Sequence, residues 1–136
     1  MEIVYIIESQ LKEEEFIEVL QQSGLAERRP IHQQERISKM CRNANLVVTA
    51  RLEGKLIGLA RSVTDGAFCT YLSDLAVNKE FQHRGIGKAL IHKTQEAVPE
   101  ATLILLAAPA AVDYYPEIGM QKHEAAFILK ADKKLK

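Results

Sequence analysis

The sequence predicts an α+β fold, and three observations carry that prediction. Three apolar-rich runs, 46–52, 56–63 and 68–77, are separated by Glu53-Gly54 and Asp65-Gly66, dipeptides that favour tight turns, so they read as an antiparallel meander. Apolar residues at helical spacing lie both before and after that meander. No internal repeat, linker or low-complexity tract divides the 136 residues, so a single domain over 1–136 is expected.

Residues 3–7 are a β-branched run that reads as the first strand. After Ser9, Phe16, Val19 and Leu20 recur at helical spacing and predict the first helix. Pro30 interrupts the chain, and over 33–44 Ile37, Met40, Cys41 and Ala44 follow at i, i+3, i+4 and i+7, the pattern of an amphipathic second helix. The meander supplies the next three strands. Ile86, Leu90, Thr94 and Ala97 line one side of a further helix that stops before Pro99, since the residue preceding proline disfavours helical geometry. Residues 102–107 predict a short buried strand. The alanine-rich stretch 110–118, with Pro116 inside it, predicts a short or irregular helix ended by Gly119. A last strand is expected within 121–129, followed by a solvated lysine-rich tail over 130–136. The resulting order is β-α-α-β-β-β-α-β-α-β.

Composition narrows the function classes. Eighteen basic residues balance eighteen acidic ones, so the formal charge is +0 and no global field recruits nucleic acid or an anionic membrane. Any phosphate-bearing ligand must therefore be held locally. Two cysteines, Cys41 and Cys69, do not make the disulfide framework of a small secreted domain. The first residues carry neither a basic n-region nor a long apolar stretch, so no signal peptide or membrane span is expected and the cytoplasm is the expected location. His32, His83, His92 and His123 lack ligand spacing, and no metal site is expected. Cys69, beside Thr70, reads as a packed strand residue and not as a nucleophile.

The stretch with chemical content runs from Leu75-Ala76-Val77 through Asn78-Lys79-Glu80-Phe81 into Gln82-His83-Arg84-Gly85-Ile86-Gly87-Lys88. Here a strand, a loop and a helix start meet. The first N–H groups of a helix lack intrahelical partners and carry the positive end of its dipole, so they bind anions such as a pyrophosphate. Gly85 and Gly87 let that backbone come close, and Arg84 and Lys88 add charge. A P-loop would need glycine at Gln82 and Ser or Thr at Ala89, and a dinucleotide fingerprint would need a third glycine at Leu90. Neither pattern is met.

Gln-x-x-Gly-x-Gly after a strand ending Leu-Ala-Val resembles the acetyl-CoA motif of GNAT (GCN5-related N-acetyltransferase) proteins, and Asp113-Tyr114-Tyr115-Pro116-Glu117-Ile118-Gly119-Met120 is similar to that family's later signature. The resemblance implies a mixed, mostly antiparallel central sheet flanked by helices. It also implies acetyl-CoA as cosubstrate, with Leu75, Ala76 and Val77 pairing with the pantetheine arm and Gln82, His83, Arg84, Gly85, Ile86, Gly87 and Lys88 holding the pyrophosphate. Leu59-Ala60-Arg61, Asp65-Gly66-Ala67-Phe68 and Asp74 look like the small branch containing plastid serotonin N-acetyltransferases. One stretch departs from the family: Ala107-Ala108-Pro109-Ala110 is apolar where many members carry a polar residue, often asparagine, that contacts the cofactor.

Acyl transfer from a thioester to an amine needs a neutral amine, a polarised carbonyl and a stabilised thiolate. Tyr115, four residues before Gly119, stands where the resemblance places the catalytic tyrosine. A phenol of pKa about 10 against a thiol of about 8.5 makes full proton transfer uphill by roughly 2 kcal/mol, so Tyr115 is expected to stabilise the thiolate as a donor. Asp74, a carboxylate in an otherwise apolar strand, is the candidate base; the alternative is that it hydrogen-bonds a neighbouring loop. The expected activity is direct acetyl transfer to a primary amine of a small molecule in a ternary complex, and the alternative is a non-catalytic acyl-CoA-binding sensor module. An exposed sheet edge and the apolar run near Phe127, Ile128 and Leu129 lead to the expectation of a homodimer.

Overall fold

Five strands form one mixed sheet in the computed structural model, which describes residues 2–136. They are β1 (Ile3–Ile7), β2 (Leu46–Leu52), β3 (Lys55–Thr64), β4 (Cys69–Val77) and β5 (Thr102–Leu105), and they lie side by side in chain order. The expected meander is present: β1, β2, β3 and β4 pair antiparallel with their neighbours, while β5 returns parallel to β4. Parallel return needs a crossover, which α3 (Ile86–Ala97) provides.

Helices α1 (Glu13–Ser23) and α2 (Gln34–Asn43) cover one face of the sheet. Three glutamates in the first turn of α1 suit the positive end of its dipole, and Gly24 ends it in the left-handed conformation at φ 89°. The residues read as apolar stripes are the buried ones: Phe16, Val19 and Leu20 from α1, and Ile37 and Cys41 from α2. They pack with Val47, Leu56, Leu59 and Ala76 of the sheet. On the opposite face Ile86 and Leu90 of α3 pack with Val48, Ala50, Ile57, Ala60 and Leu72. A side chain on Gly58 would bring a Cβ to 3.2 Å from the Ala76 carbonyl oxygen and 3.4 Å from Leu90 Cδ1, so glycine there lets α3 lie close to the sheet. Covered on both faces, β2 is buried continuously over 46–50 instead of alternating.

The chain divides into two compact units, Met1–Leu106 and Ala107–Lys136. The second holds a 3-10 turn at Pro109–Ala111 and the short helix α4 (Tyr114–Glu117), after which Gly119 turns the backbone at φ 101°. This is the short, irregular helix expected from its alanines and Pro116.

Two expectations differ. No strand forms within 121–129, because an isolated run gains neither ladder partners nor a buried face; all of 121–136 is exposed, Phe127 at 91%. The strand at 102–105 is present but not buried: its residues alternate between exposed and half-buried, as suits a strand with one sheet neighbour.

An ion-pair network fastens α1 to the sheet. Arg51 on β2 donates from Nε to Glu8 Oε2 at 2.8 Å and from Nη1 to Glu15 Oε2 at 2.7 Å, and the Thr49 hydroxyl also donates to Glu8. The Arg51 guanidinium holds both carboxyls below their ordinary value of 4.5. Groups whose folded pKa is depressed stabilise the fold fully above the unfolded pKa, and that contribution is lost as pH falls through the folded value. Arg51→Gln should therefore be less stable than the parent at pH 7, with a gap in urea unfolding free energy that narrows as the pH is lowered past about 4. A gap independent of pH would show that the network does not act through charge.

Candidate functional site

A bulge in β4 organises the site. Going along the β3–β4 ladder, Arg61 pairs with Asp74 and Ser62 with Leu72, so Ser73 is the extra residue opposite no partner. The inserted residue reverses which face the following side chains take: Leu72 points into the α3 layer, whereas Ala76 joins the α1 and α2 layer. The parallel ladder with β5 ends at the same place, its last pair being Leu72 with Leu105. From Ser73 to Val77 β4 therefore has β3 on one side and no strand on the other. Open backbone N–H and C=O groups on that side suit an extended ligand that pairs as a strand would.

Asp74 is fully buried and its two carboxylate oxygens are both taken. Arg29 Nε donates to one, and Arg61 Nε to the other. The same guanidinium groups grip the bulge, with Arg29 Nη2 donating to the Ser73 carbonyl at 2.8 Å and Arg61 Nη2 to the Ser73 hydroxyl at 3.1 Å. Arg61 also donates to the Met40 carbonyl at 3.2 Å and lies 5.9 Å from the centroid of the Phe16 ring. Arg29 belongs to the loop between α1 and α2, so Asp74 makes a loop contact of the kind weighed against its role as a base. Arg29, just past the 3-10 turn Leu25–Arg28, and Arg61 on β3 were not read from the sequence as partners of Asp74. A usable signal existed: Asp74 is the one charged residue of β4, and Arg61 the one charged residue in the interior of β3.

Past Val77, Asn78 caps a 3-10 turn, Lys79–Phe81, by accepting from the Glu80 N–H at 2.9 Å, while its amide donates to Gln22 of α1 at 3.1 Å. The Gln82 side chain donates back to the Val77 carbonyl at 3.0 Å, which braces the loop against the strand it leaves. His83 and Gly85 both turn left-handed, at φ 66° and 83°, and Gly85 is the N-cap of α3. No side chain caps that end and its first turn holds no carboxylate, so the leading N–H groups are free of competing anions. The Arg84 guanidinium lies 5.4 Å from the centroid of the Phe81 ring, and Lys88 is exposed in the first turn. A Cβ at Gly85 would meet nothing within 4 Å, so the space in front of the helix end is open.

Within the first unit the fold thus brings Leu75, Ala76 and Val77 into line with the turn from Gln82 to Lys88. Tyr115 belongs to the second unit, in α4, with its ring 5.3 Å from that of Tyr114 in an edge-on arrangement. Burial, with a smaller effect of Tyr114, raises the Tyr115 phenol pKa above its ordinary value. Cys41 is buried, and its thiol pKa is pushed up to about 11, so it is chemically quiet. No helix of the described residues is long and apolar enough to cross a membrane.

A family model described as "Acetyltransferase (GNAT) domain" matches residues 10–130. The chain is 38% identical over 72 residues to "GCN5-related N-acetyltransferase 2, chloroplastic" of Arabidopsis thaliana, an alignment covering 51% of this chain and 28% of that protein. It spans less than half the length of the curated relatives it matches. Among solved structures, a GNAT-family acetyltransferase from Streptococcus pneumoniae superposes with a TM-score of 0.80 at 19% identity, covering 98% of this chain and all of that one. AAC(6')-Iy, solved with the bisubstrate analogue CoA-S-monomethyl-acetylneamine, gives 0.70 at 14% identity over 96% and 98% of the two chains. At these identities the two structures show the shared fold.

The Asp74 cluster generates a stability prediction independent of any ligand. Asp74→Ala leaves the nearly buried Arg61 uncompensated and should lower the urea unfolding free energy by about 3–5 kcal/mol. Asp74→Leu combined with Arg61→Met should recover part of that loss, because the stranded charge is gone. If Asp74→Ala unfolds at the parental urea concentration, the carboxylate does not hold the bulge.

Proposed function

Because the chain belongs to the GNAT acetyltransferase family, we propose that it moves the acetyl group of acetyl-CoA to a primary amine of a small molecule by direct attack in a ternary complex. One observation carries this reading: the strand edge left open from Ser73 to Val77 runs directly into an uncapped helix start that turns on Gly85. The open edge suits a pantetheine arm, paired with the backbone of Leu75, Ala76 and Val77, and the helix start suits the pyrophosphate. AAC(6')-Iy, with its analogue joining CoA to an amine, supports both the cosubstrate and the acceptor class. The family match, running from 10 to 130, supports treating 1–136 as a single functional domain. The proposed setting is the reducing cytoplasm, with Cys41 and Cys69 as free thiols, and the proposed assembly is a homodimer.

In the proposed reaction the neutral amine attacks the thioester carbonyl carbon, the C–S bond breaks, and the CoA thiolate leaves. N–H groups at the open edge of β4 polarise the carbonyl oxygen. Tyr115 donates a hydrogen bond to the thiolate; burial keeps its phenol protonated at neutral pH, which suits a donor better than a full acid. We assign Asp74 to holding the bulge and leave amine deprotonation to water, because both of its carboxylate oxygens are engaged by guanidinium groups. A second reading, an acyl-CoA sensor without turnover, is favoured by the apolar turn at Ala108-Pro109-Ala110. Calorimetry with CoA, followed by a thiol-release assay on a panel of amines, separates the two.

Gly85→Val should weaken acetyl-CoA by about tenfold or more, since it strains the left-handed backbone and fills the open space at the helix end. Gly85→Asn tolerates that backbone, so the difference between the two variants isolates the strain. Parental affinity in a folded Gly85→Val protein would remove the pyrophosphate from this turn.

Tyr115→Phe should leave acetyl-CoA affinity within a few-fold and lower kcat by about 10²-fold, the range of a positioned proton donor. Tyr114→Phe is the control. Parental turnover in both variants would reassign thiolate protonation to solvent, and lost affinity with intact kcat would make Tyr115 a binding residue.

A further inference from the structure

The sheet face that carries α1 and α2 is left bare beside the bulge. Val63 of β3 pairs with Tyr71 of β4, and Tyr71 with Ile104 of β5, so these side chains form one row across three strands. They project on the α1 and α2 side, because Leu72, next after Tyr71, packs into the α3 layer, as do Leu103 and Leu105 on either side of Ile104. Among the described residues nothing buries the row: Val63, Tyr71 and Ile104 are 47%, 41% and 50% exposed. Val63 follows Arg61 by two residues along β3, which sets the row about 7 Å from the pair of Arg61 and Asp74.

On the other side of that pair stands Arg29, with donors left over. Its Nε goes to Asp74, one Nη2 hydrogen to the Ser73 carbonyl and one Nη1 hydrogen to the Arg28 carbonyl, so one N–H remains on each terminal nitrogen. Two guanidinium groups around one carboxylate also leave the cluster one positive charge in excess, while Glu27 and Arg28, both exposed, cancel each other. The Arg29 side chain is 21% exposed, so this excess is within reach of a ligand. The open edge of β4 begins at Ser73, the residue whose carbonyl Arg29 holds.

We propose that the acetyl acceptor is a free α-amino acid with an apolar or aromatic side chain. Its carboxylate takes the two spare Arg29 N–H groups, its α-amine faces the thioester at the open edge, and its side chain lies along Val63, Tyr71 and Ile104, where Tyr71 offers a ring to an aromatic one. An α-amino acid carries an anion, an amine and an apolar body on one carbon, matching the guanidinium, the open edge and the apolar row that meet at the bulge. A plain alkylamine leaves the excess charge unanswered, and a polycation is repelled by it. Transfer forms the C–N bond at the α-nitrogen and breaks the thioester C–S bond; the proton lost by the amine goes to water, and the CoA thiolate takes one back from solvent. This rests on the acetyl-transfer reading and names its acceptor.

The test is a thiol-release assay with L-phenylalanine, with phenethylamine, which lacks the carboxylate, with glycine, which lacks the side chain, and with the aminoglycoside sisomicin. It is run on the parent and on Arg29→Lys, which keeps a cation beside Asp74 but loses the fork. In the parent, kcat/KM for phenylalanine should exceed that of each other amine by about tenfold or more. Arg29→Lys should lower the ratio of phenylalanine to phenethylamine by about tenfold, with acetyl-CoA affinity by calorimetry unchanged. That ratio cancels the differing basicity of the two amines and any general loosening of the bulge, which an arginine with only a structural role would impose on both. Tyr71→Ser, at an exposed position, should bring phenylalanine down toward glycine. Phenethylamine, glycine or sisomicin turned over as well as phenylalanine or better would overturn the α-amino acid while acetyl transfer stands, as would a parental ratio in Arg29→Lys. Acetyl-CoA bound but consumed with none of a broad panel of amines would overturn both.

Discussion

A buried carboxylate is tolerable only with its charge answered, and much of the first unit is arranged around answering Asp74. Arg61 reaches it across the β3–β4 ladder and Arg29 reaches it from the loop between α1 and α2, so a strand, its neighbour and a helical layer converge on one anion. Those cations also hold both polar groups of Ser73. The bulge, the end of the β5 ladder and the open edge of β4 occur within two residues of that charge. A neutral residue at 74 would leave the guanidinium groups without counterions and the bulge without its grip.

The other half of the site depends on backbone conformation and not on charge. Consecutive departures into left-handed geometry at His83 and Gly85 swing the chain from the strand direction into α3, whose end is left bare. Gly85 adopts this geometry freely, whereas His83 is a non-glycine residue there, a place where local strain coincides with the proposed ligand turn. Gln82, expected among the phosphate contacts, spends its side chain on the Val77 carbonyl and acts on the turn from behind.

The helices and the meander were legible because their signals are local. Phe16, Val19, Leu20, Ile37, Cys41, Ile86 and Leu90 sit at spacings that only one face of a helix collects, and Glu53-Gly54 and Asp65-Gly66 fall at the turns between strands. The glycine turn was legible for the same reason. Arg29 was not, since it lies 45 residues from Asp74 in the chain and its partnership is purely tertiary. Residues 121–129 misled in the opposite sense: the local signal for a strand is real, but a strand exists only with a neighbour, and a neighbour is not encoded in the segment itself.

The extra residue at Ser73 makes the length of β4 matter more than its letters. Its carbonyl contact with Arg29 comes from the backbone, so many side chains could replace serine during drift. A deletion is another matter: removing Ser73 would restore a regular ladder with Asp74 and Ala76 still on the α1 and α2 face, but the carbonyl and hydroxyl that Arg29 and Arg61 grip would be lost, and with them the bulge at which the β5 ladder ends. Lineages carrying this architecture are therefore free to vary in spelling at this position while being held to a fixed count of residues between the β3–β4 hairpin and Gly85, a constraint on the reading frame of the strand.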